Sequence, residues 1–391
     1  MWQAQYKPSF FTLLLMISFA SVNAVLFTPA LPDITHFFSI TSNAAQLAMT
    51  WFLVGYAFGQ LVYSPIANRF GRKLALYVGI SLQIASSLLC VYSGFLHEYW
   101  LLVTGRFILA LGSGVGLKMT LTIINECYTP KIASQKMSYL LLAFAVTPGL
   151  GVAIGGMLNE HFGWQSCFYA GVAYGFLFLL FVTQLPETLQ QADLYALKPK
   201  HLLHAYGTQF KNIQLIAGGL LMGGASSIVY VFATITPFLA THYYGMNSAQ
   251  YGFANMIPSI GLIVGSLVSA QLIKFHSLVS MIRLGIVIIF IGIVFMLLAI
   301  FKNLSEWFTL FLPMIIIYFG LCFILSNAST VGLSRVNDKA HGSAVLSFLN
   351  MGLATLVVLS LSFFPITIFL LPIVYFILCA MMVIMYKVVC Y

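Results

Sequence analysis

Apolar runs long enough to cross a membrane fill this chain, and short charged loops separate them. The segment Ser64-Pro-Ile-Ala-Asn-Arg-Phe-Gly-Arg-Lys73 shows the pattern most clearly, because residues 46–66 run apolar into it and residues 74–96 run apolar out of it. A spanning helix needs about 20 apolar residues. Two such helices joined by this turn put one membrane surface at Arg69, Arg72 and Lys73. Short loops rich in Lys and Arg stay in the cytoplasm, so that surface is the inner one.

The remaining windows predict twelve helices, over 10–32, 46–66, 74–96, 100–124, 136–158, 163–184, 211–236, 249–273, 278–300, 306–330, 340–362 and 366–388. A polar stretch at 187–210 divides them into an N-terminal bundle (1–186) and a C-terminal bundle (211–391), six helices each. The charges test that count. With both termini inside, the cytoplasmic segments hold Lys7, Arg69, Arg72, Lys73, Lys131, Lys136, Lys198, Lys200, Lys211, Lys274, Arg283, Arg335, Lys339 and Lys387, and the opposite side holds Lys302 alone. One helix miscounted early would collapse this asymmetry. The apolar run after Lys7 continues through Phe27 to Pro32, which suits a retained first span better than a cleaved signal.

Only 6% of the residues are charged, against about 25% in soluble domains, so the chain cannot cover a water-facing surface. The net charge of +9 is therefore a topology signal rather than a nucleic-acid footprint. The six Cys (90, 127, 167, 322, 379, 390) lack paired spacing, and His201 and His204 alone are too few for a metal site. No cofactor is expected. The absence of HExxH and GxSxG, with every His in a loop or at a helix end, argues against an enzyme. A non-transporting receptor on the same helices would have lost the gate, and Gly71-Arg72-Lys73 is intact.

A repeat links the two bundles. Gly55-Tyr-Ala-Phe-Gly59-Gln-Leu-Val precedes a turn with Arg69-Phe70, and Gly261-Leu-Ile-Val-Gly265-Ser-Leu-Val precedes a turn with Lys274-Phe275. Two related six-helix halves are a transporter architecture, with the substrate near the midplane between them.

The chain resembles the Bcr/CflA branch of the drug:proton antiporters within the major facilitator superfamily. The resemblance is carried by Pro29-Ala-Leu-Pro32, by Gly59 through Lys73, by Arg106-Phe with Ala110-Leu-Gly112, by Pro148 with Gly151, Gly155 and Gly156, and by Gly342-Ser-Ala344. It implies an all-α major facilitator fold of two pseudo-symmetric bundles in a bacterial inner membrane. It also implies a monomer in the lipid bilayer that moves a small molecule, with protons as coupling ion. Four positions depart from the branch's pattern. Val25 stands where an acid is usual, Asn68 where Asp is, Val152 where Pro is, and Asn125-Glu126 where Arg-Asp is.

A charge inside a bilayer costs at least about 2.5–3.5 kcal/mol, so each needs a reason. All eight acids fall at or beyond the expected helix ends, and the mid-membrane charges are Arg106 and Lys118, both in the fourth helix. Arg106 either bonds carbonyls of neighbouring helices or, by the resemblance, serves a proton relay or gate. Lys118 either snorkels to the interface or faces the cavity and meets an anionic group. Candidate cavity residues are these two with Asn23, Tyr56, Gln60, Asn255, Asn327 and Asn350; interhelical bonding is the alternative for each. Candidate gate or coupling residues are Asp33, Asn68, Arg69, Gly71, Arg72, Lys73, Glu126, Pro148, Gly151, Gly155 and Gly156. Glu126 has a loop ion pair with Lys131 as its alternative role, and Asp33 a helix-end role. The leading expectation is multidrug or small-molecule efflux coupled to protons. The alternative is import or export of an anionic metabolite or metal chelate, motivated by the two cations and the missing helix-1 acid.

Overall fold

The structure, a computed structural model, describes residues 8–128, 130–189, 191–194, 196–198, 206–336 and 339–390. Lys7, Lys200, His201, His204 and Asp338 lie outside the described residues, as do the side chains of Asn125, Lys131, Lys339 and Cys390. The described residues are helical with no strand. Eleven helices are long and apolar enough to span: α1 (Phe10–Phe38), α2 (Ser42–Phe70), α3 (Arg72–Leu96), α4 (Tyr99–Ile124), α6 (Gln165–Thr183), α7 (Ile213–Tyr244), α8 (Ser248–Leu272), α9 (Leu278–Phe301), α10 (Trp307–Leu333), α11 (His341–Leu361) and α12 (Leu370–Val389). The 33-residue helix α5 (Pro130–Phe162) completes the twelve.

Several spans are discontinuous, which apolar windows do not show. In α1 the regular helix stops at Val25, a 3-10 turn covers Thr28–Ala30, and helix resumes over Leu31–Phe38. Pro29 and Pro32 explain the break, since neither can donate a backbone hydrogen bond. The expected end at residue 32 is thus corrected: Asp33 sits in the first turn of the resumed helix, where a carboxylate suits the helix dipole. Helix α4 is interrupted at Gly114 and runs on to Cys127. Helix α8 breaks at Asn255–Met256, before Pro258. Pro148 lies inside α5.

The repeated glycines place equivalent crossings in the two halves. A Cβ on Gly55 or Gly59 would strike the carbonyls of Phe107 or Leu111 of α4. A Cβ on Gly261 or Gly265 would strike those of Ile315 or Phe319 of α10. Small residues let these backbones approach, the main route to tight packing where lipid removes the hydrophobic drive.

The halves meet along two seams, α5 against α8 and α2 against α11. In the first, Gly156 faces the Ser248 carbonyl, Gly252 faces Val152, and Gly149 faces Ser259. In the second, Phe58 meets Phe348 edge-on with centroids 6.0 Å apart. An apolar core runs across both halves, from Phe27, Phe52 and Leu53 to Ile228, Phe232 and Tyr375.

Candidate functional site

At the cytoplasmic end, the turn between α2 and α3 is tied down by acids from elsewhere. Arg72 forms an ion pair with Glu126 at the end of α4, Nη2 to Oε1 2.7 Å, and its Nη1 donates to Ala67 O at 2.8 Å. Glu126 also accepts from Thr188. Its ion-pair partner among the described residues is Arg72; the side chain of Lys131, the alternative partner, lies outside them. Glu187 accepts from the backbone N–H groups of Arg72 and Lys73, both at 3.0 Å, and so caps α3. Gly71 makes room for it. Its φ is +103°, and a Cβ there would come within 2.5 Å of the Glu187 carboxylate. Burial pushes the Glu187 carboxyl up, but the N–H groups of Leu189, Arg72, Lys73 and Thr188 outweigh it and hold the pKa below the usual range. Lys73 Nζ donates to Thr183 O at 2.7 Å, and Arg69 lies over the Phe70 ring at 5.8 Å. Asn68 accepts from Asp193 N through its backbone carbonyl at 3.0 Å, which ties linker to turn.

Deeper in the N-terminal half, Arg106 is 1% exposed. Its Nη1 donates to Asn23 O at 2.7 Å, Nη2 to Ala24 O at 3.2 Å and Nε to Ala48 O at 3.5 Å. The rings of Phe27 and Phe52 lie 3.8 and 4.2 Å from its guanidinium carbon. The α1 break releases the carbonyls of Asn23 and Ala24, and Arg106 takes them up. The guanidinium fork suits divergent acceptors in a way a single ammonium does not. Asn23 also accepts from Gln83 of α3 at 2.9 Å, and Gln83 donates further to Ser87 at 3.0 Å and Gly171 O at 3.1 Å. A cavity of about 10 Å³ adjoins Asn23, Ser87 and Arg106, room for one water. Arg106 and Asn23 thus face each other within one half rather than the gap between halves. Gln83, the centre of this network, carries no charge and stands in no motif, so no sequence pattern marks it.

Lys118 behaves differently. It is 9% exposed and does not snorkel. Its Nζ reaches across the seam to Ser343 Oγ of α11 at 3.2 Å. Tyr56 and Gln60 of α2 are buried one turn apart. Asn255 sits at the α8 break and is half-buried. Asn327 donates to Phe323 O of its own helix at 2.8 Å, and Asn350 keeps a buried Oδ1 without a partner.

At the outer end, the side-chain amide of Asn159 of α5 donates to Asp33 of α1 and, at 2.8 Å, to Ser248 of α8. Ser248 in turn donates to Pro29 O at 3.2 Å. This chain of bonds ties the two halves together. Gly155 lets α5 approach Leu26 O at the α1 break, and Gly151 faces Val25 at 3.2 Å. Neither Asn159 nor Ser248 stands in a motif of the sequence.

These features, a basic inner turn locked by a helix-4 acid, paired bundles and two inter-half seams, agree with the comparisons. The Major Facilitator Superfamily model matches residues 13–358. The MFS-type transporter YdgK of Bacillus subtilis is 24% identical over 340 residues, 86% of this chain and 84% of its own. Multidrug resistance protein D of Escherichia coli is 25% identical over 63% of this chain and 61% of its own. A bicyclomycin resistance protein homolog of Haemophilus influenzae is 22% identical over 81% and 78%. The inward-open xylose transporter XylE of Escherichia coli superposes with TM-score 0.77 at 14% identity, covering 97% of this chain and 95% of its own. The resemblance to the drug:proton antiporter branch stands with those relatives. Twelve spans, their charge asymmetry and a family match over most of the chain converge on one assignment: an inner-membrane transporter, not an enzyme, that belongs to the Major Facilitator Superfamily.

Proposed function

We propose that this protein exports small amphipathic molecules by alternating access in exchange for protons. It acts as a monomer whose bundles, 1–186 and 211–391, rock about the linker 187–210. The observation that carries this reading is the pair of polar ties between the halves at opposite depths. Lys118–Ser343 holds the α2/α11 side, and Asp33–Asn159–Ser248 holds the outer end. The first is one hydrogen bond and the second a few, worth about 0.5–1.5 kcal/mol apiece net, so a bound solute can shift the balance between closed ends. The relatives named for drug and bicyclomycin resistance support an export role.

The acids assigned to proton exchange in this reading are Asp33, in the outer tie, and Glu126, held by Arg72 at the inner turn. The test is proton movement in everted vesicles under an imposed pH gradient, with vesicles lacking the protein as control. Proton release on adding an amphipathic substrate supports the reading. No response across a panel that a known antiporter answers would overturn it.

A further inference from the structure

We infer that Lys118 and Ser343 form the seat for the acidic group of the substrate, which makes that substrate an amphipathic organic anion. The inference rests on the transport reading above and names its substrate class. Of the two intramembrane cations, Arg106 is fully engaged by three carbonyls and two rings within one half. Lys118 is not. Among the described residues its ammonium has one partner, the Ser343 hydroxyl. A buried charge is ordinarily paired with an opposite one, and the ion pair among the described residues is elsewhere, between Arg72 and Glu126. Among the described titratable side chains around that end are Glu126 of α4, Tyr63 of α2, Lys136 of α5 and His341 of α11; the carboxylate, Glu126, is taken by Arg72. Lys136 lies over the Tyr128 ring at 4.9 Å, and His341 lies against the Tyr206 ring at 5.2 Å. Among the described residues no carboxylate pairs with Lys118, so a ligand can supply its counter-charge.

The position fits a ligand rather than a structural cation. Lys118 follows Gly114, where α4 touches α2 at Gly59, by one helical turn, so it points from that crossing toward α11. Its bond to Ser343 spans the two halves, so the site comes apart when they separate and re-forms when they close. A carboxylate or phosphate between an ammonium and a hydroxyl gains charge-assisted bonds to both. The same seam carries an apolar cavity of about 350 Å³ lined by Val54, Phe58, Phe348 and Leu353 among others. That volume lies in the range of small-ligand pockets and suits the apolar body of an amphipathic acid.

The test uses the full-length protein in phosphatidylcholine vesicles with three probes of one aromatic skeleton, bearing a carboxylate, a carboxamide or an ammonium. Binding is read by intrinsic fluorescence and transport by counterflow. The wild type is expected to bind the carboxylate probe at least about tenfold tighter than the carboxamide, and Lys118→Gln to erase that preference, a loss of about 1.4 kcal/mol or more. Lys118→Arg is expected to keep part of it. Ser343→Ala weakens the carboxylate probe alone and controls for misfolding of the Lys118 variants. Equal carboxylate affinity in wild type and Lys118→Gln overturns the inference, as does a wild type that prefers the ammonium probe. Displacement of the carboxylate probe by added phosphatidylglycerol would assign the site to a lipid headgroup and also overturn it. If no probe is transported but the carboxylate preference depends on Lys118, the transport reading fails and the anion site stands.

Discussion

Replacing Arg106 with Lys tests whether this residue is a structural tie for the α1 break. The charge stays in place, so the cost of burying it is unchanged and does not offset the loss. One ammonium near the guanidinium position reaches one of the two α1 carbonyls, at Asn23 or Ala24. The other is left buried and unpaired, at a cost of about 1–3 kcal/mol. Contact with Phe27 and Phe52 weakens as the planar group is lost, adding about 1 kcal/mol. The sum is about 2–4 kcal/mol. For 391 residues, an unfolding entropy of about 2.1 cal/mol/K per residue gives roughly 0.8 kcal/mol/K, so Tm should fall by about 2–5 °C. The assay can use the protein's own thiols. Cys90, Cys127, Cys167, Cys322 and Cys379 are all buried, so a thiol-reactive fluorogenic dye reports unfolding directly. A Tm within about 1 °C of wild type would refute the reasoning.

Three further outcomes follow from the geometry. Glu187→Gln removes the charged cap of α3 and is expected to raise protease sensitivity in the linker at neutral pH. Because the Glu187 pKa is depressed, its stabilising effect is fully present above the ordinary glutamate range and is lost as pH falls through the depressed value. The wild type should therefore approach the variant's cleavage rate only in strong acid, and equal rates at pH 7 would contradict this. Gly156→Leu puts a side chain into the Ser248 carbonyl. It should cost about 1–3 kcal/mol and reduce counterflow severalfold in protein that still reaches the membrane; unchanged counterflow would refute the close packing of α5 on α8. Asn159→Ala cuts the outer tie. Spin labels at the exposed residues Glu160 and Gln250 should then show a new, longer distance component, and an unchanged distribution would mean that the tie does not hold the outer end closed.

What was legible in the sequence was whatever local pattern determines. Apolar run length and the one-sided placement of cations give twelve spans, and the glycine pairs at 55/59 and 261/265 mark the two equivalent crossings. The illegible part is pairing between distant segments. Glu187 reads as one acid in a polar linker, yet it caps a helix that begins 115 positions earlier. Lys118 and Ser343 are 225 positions apart, and Asn159 gathers partners from two other helices. The helix breaks were signalled by Pro29, Pro32 and Pro258, but a window that averages hydropathy passes over them. The carbonyl partners of Arg106 also needed the structure, because they are free only once α1 has broken.

The α5/α8 seam differs in kind from the α2/α11 seam. In the first, glycines bring backbone against backbone with little side-chain bulk between them; in the second, Phe58 and Phe348 interlock. Two smooth rods in close contact resist being pulled apart, since many small attractions are lost together. Along the glycine stretch they resist sliding or turning little, and the polar catch described on this seam is the Asn159–Ser248 bond at its outer end. The glycine seam is thus built as a bearing and the aromatic seam as a latch. Relative motion of the halves should leave α5 in touch with α8 while it shifts the register between them, and larger residues on that face would jam the mechanism without unfolding it.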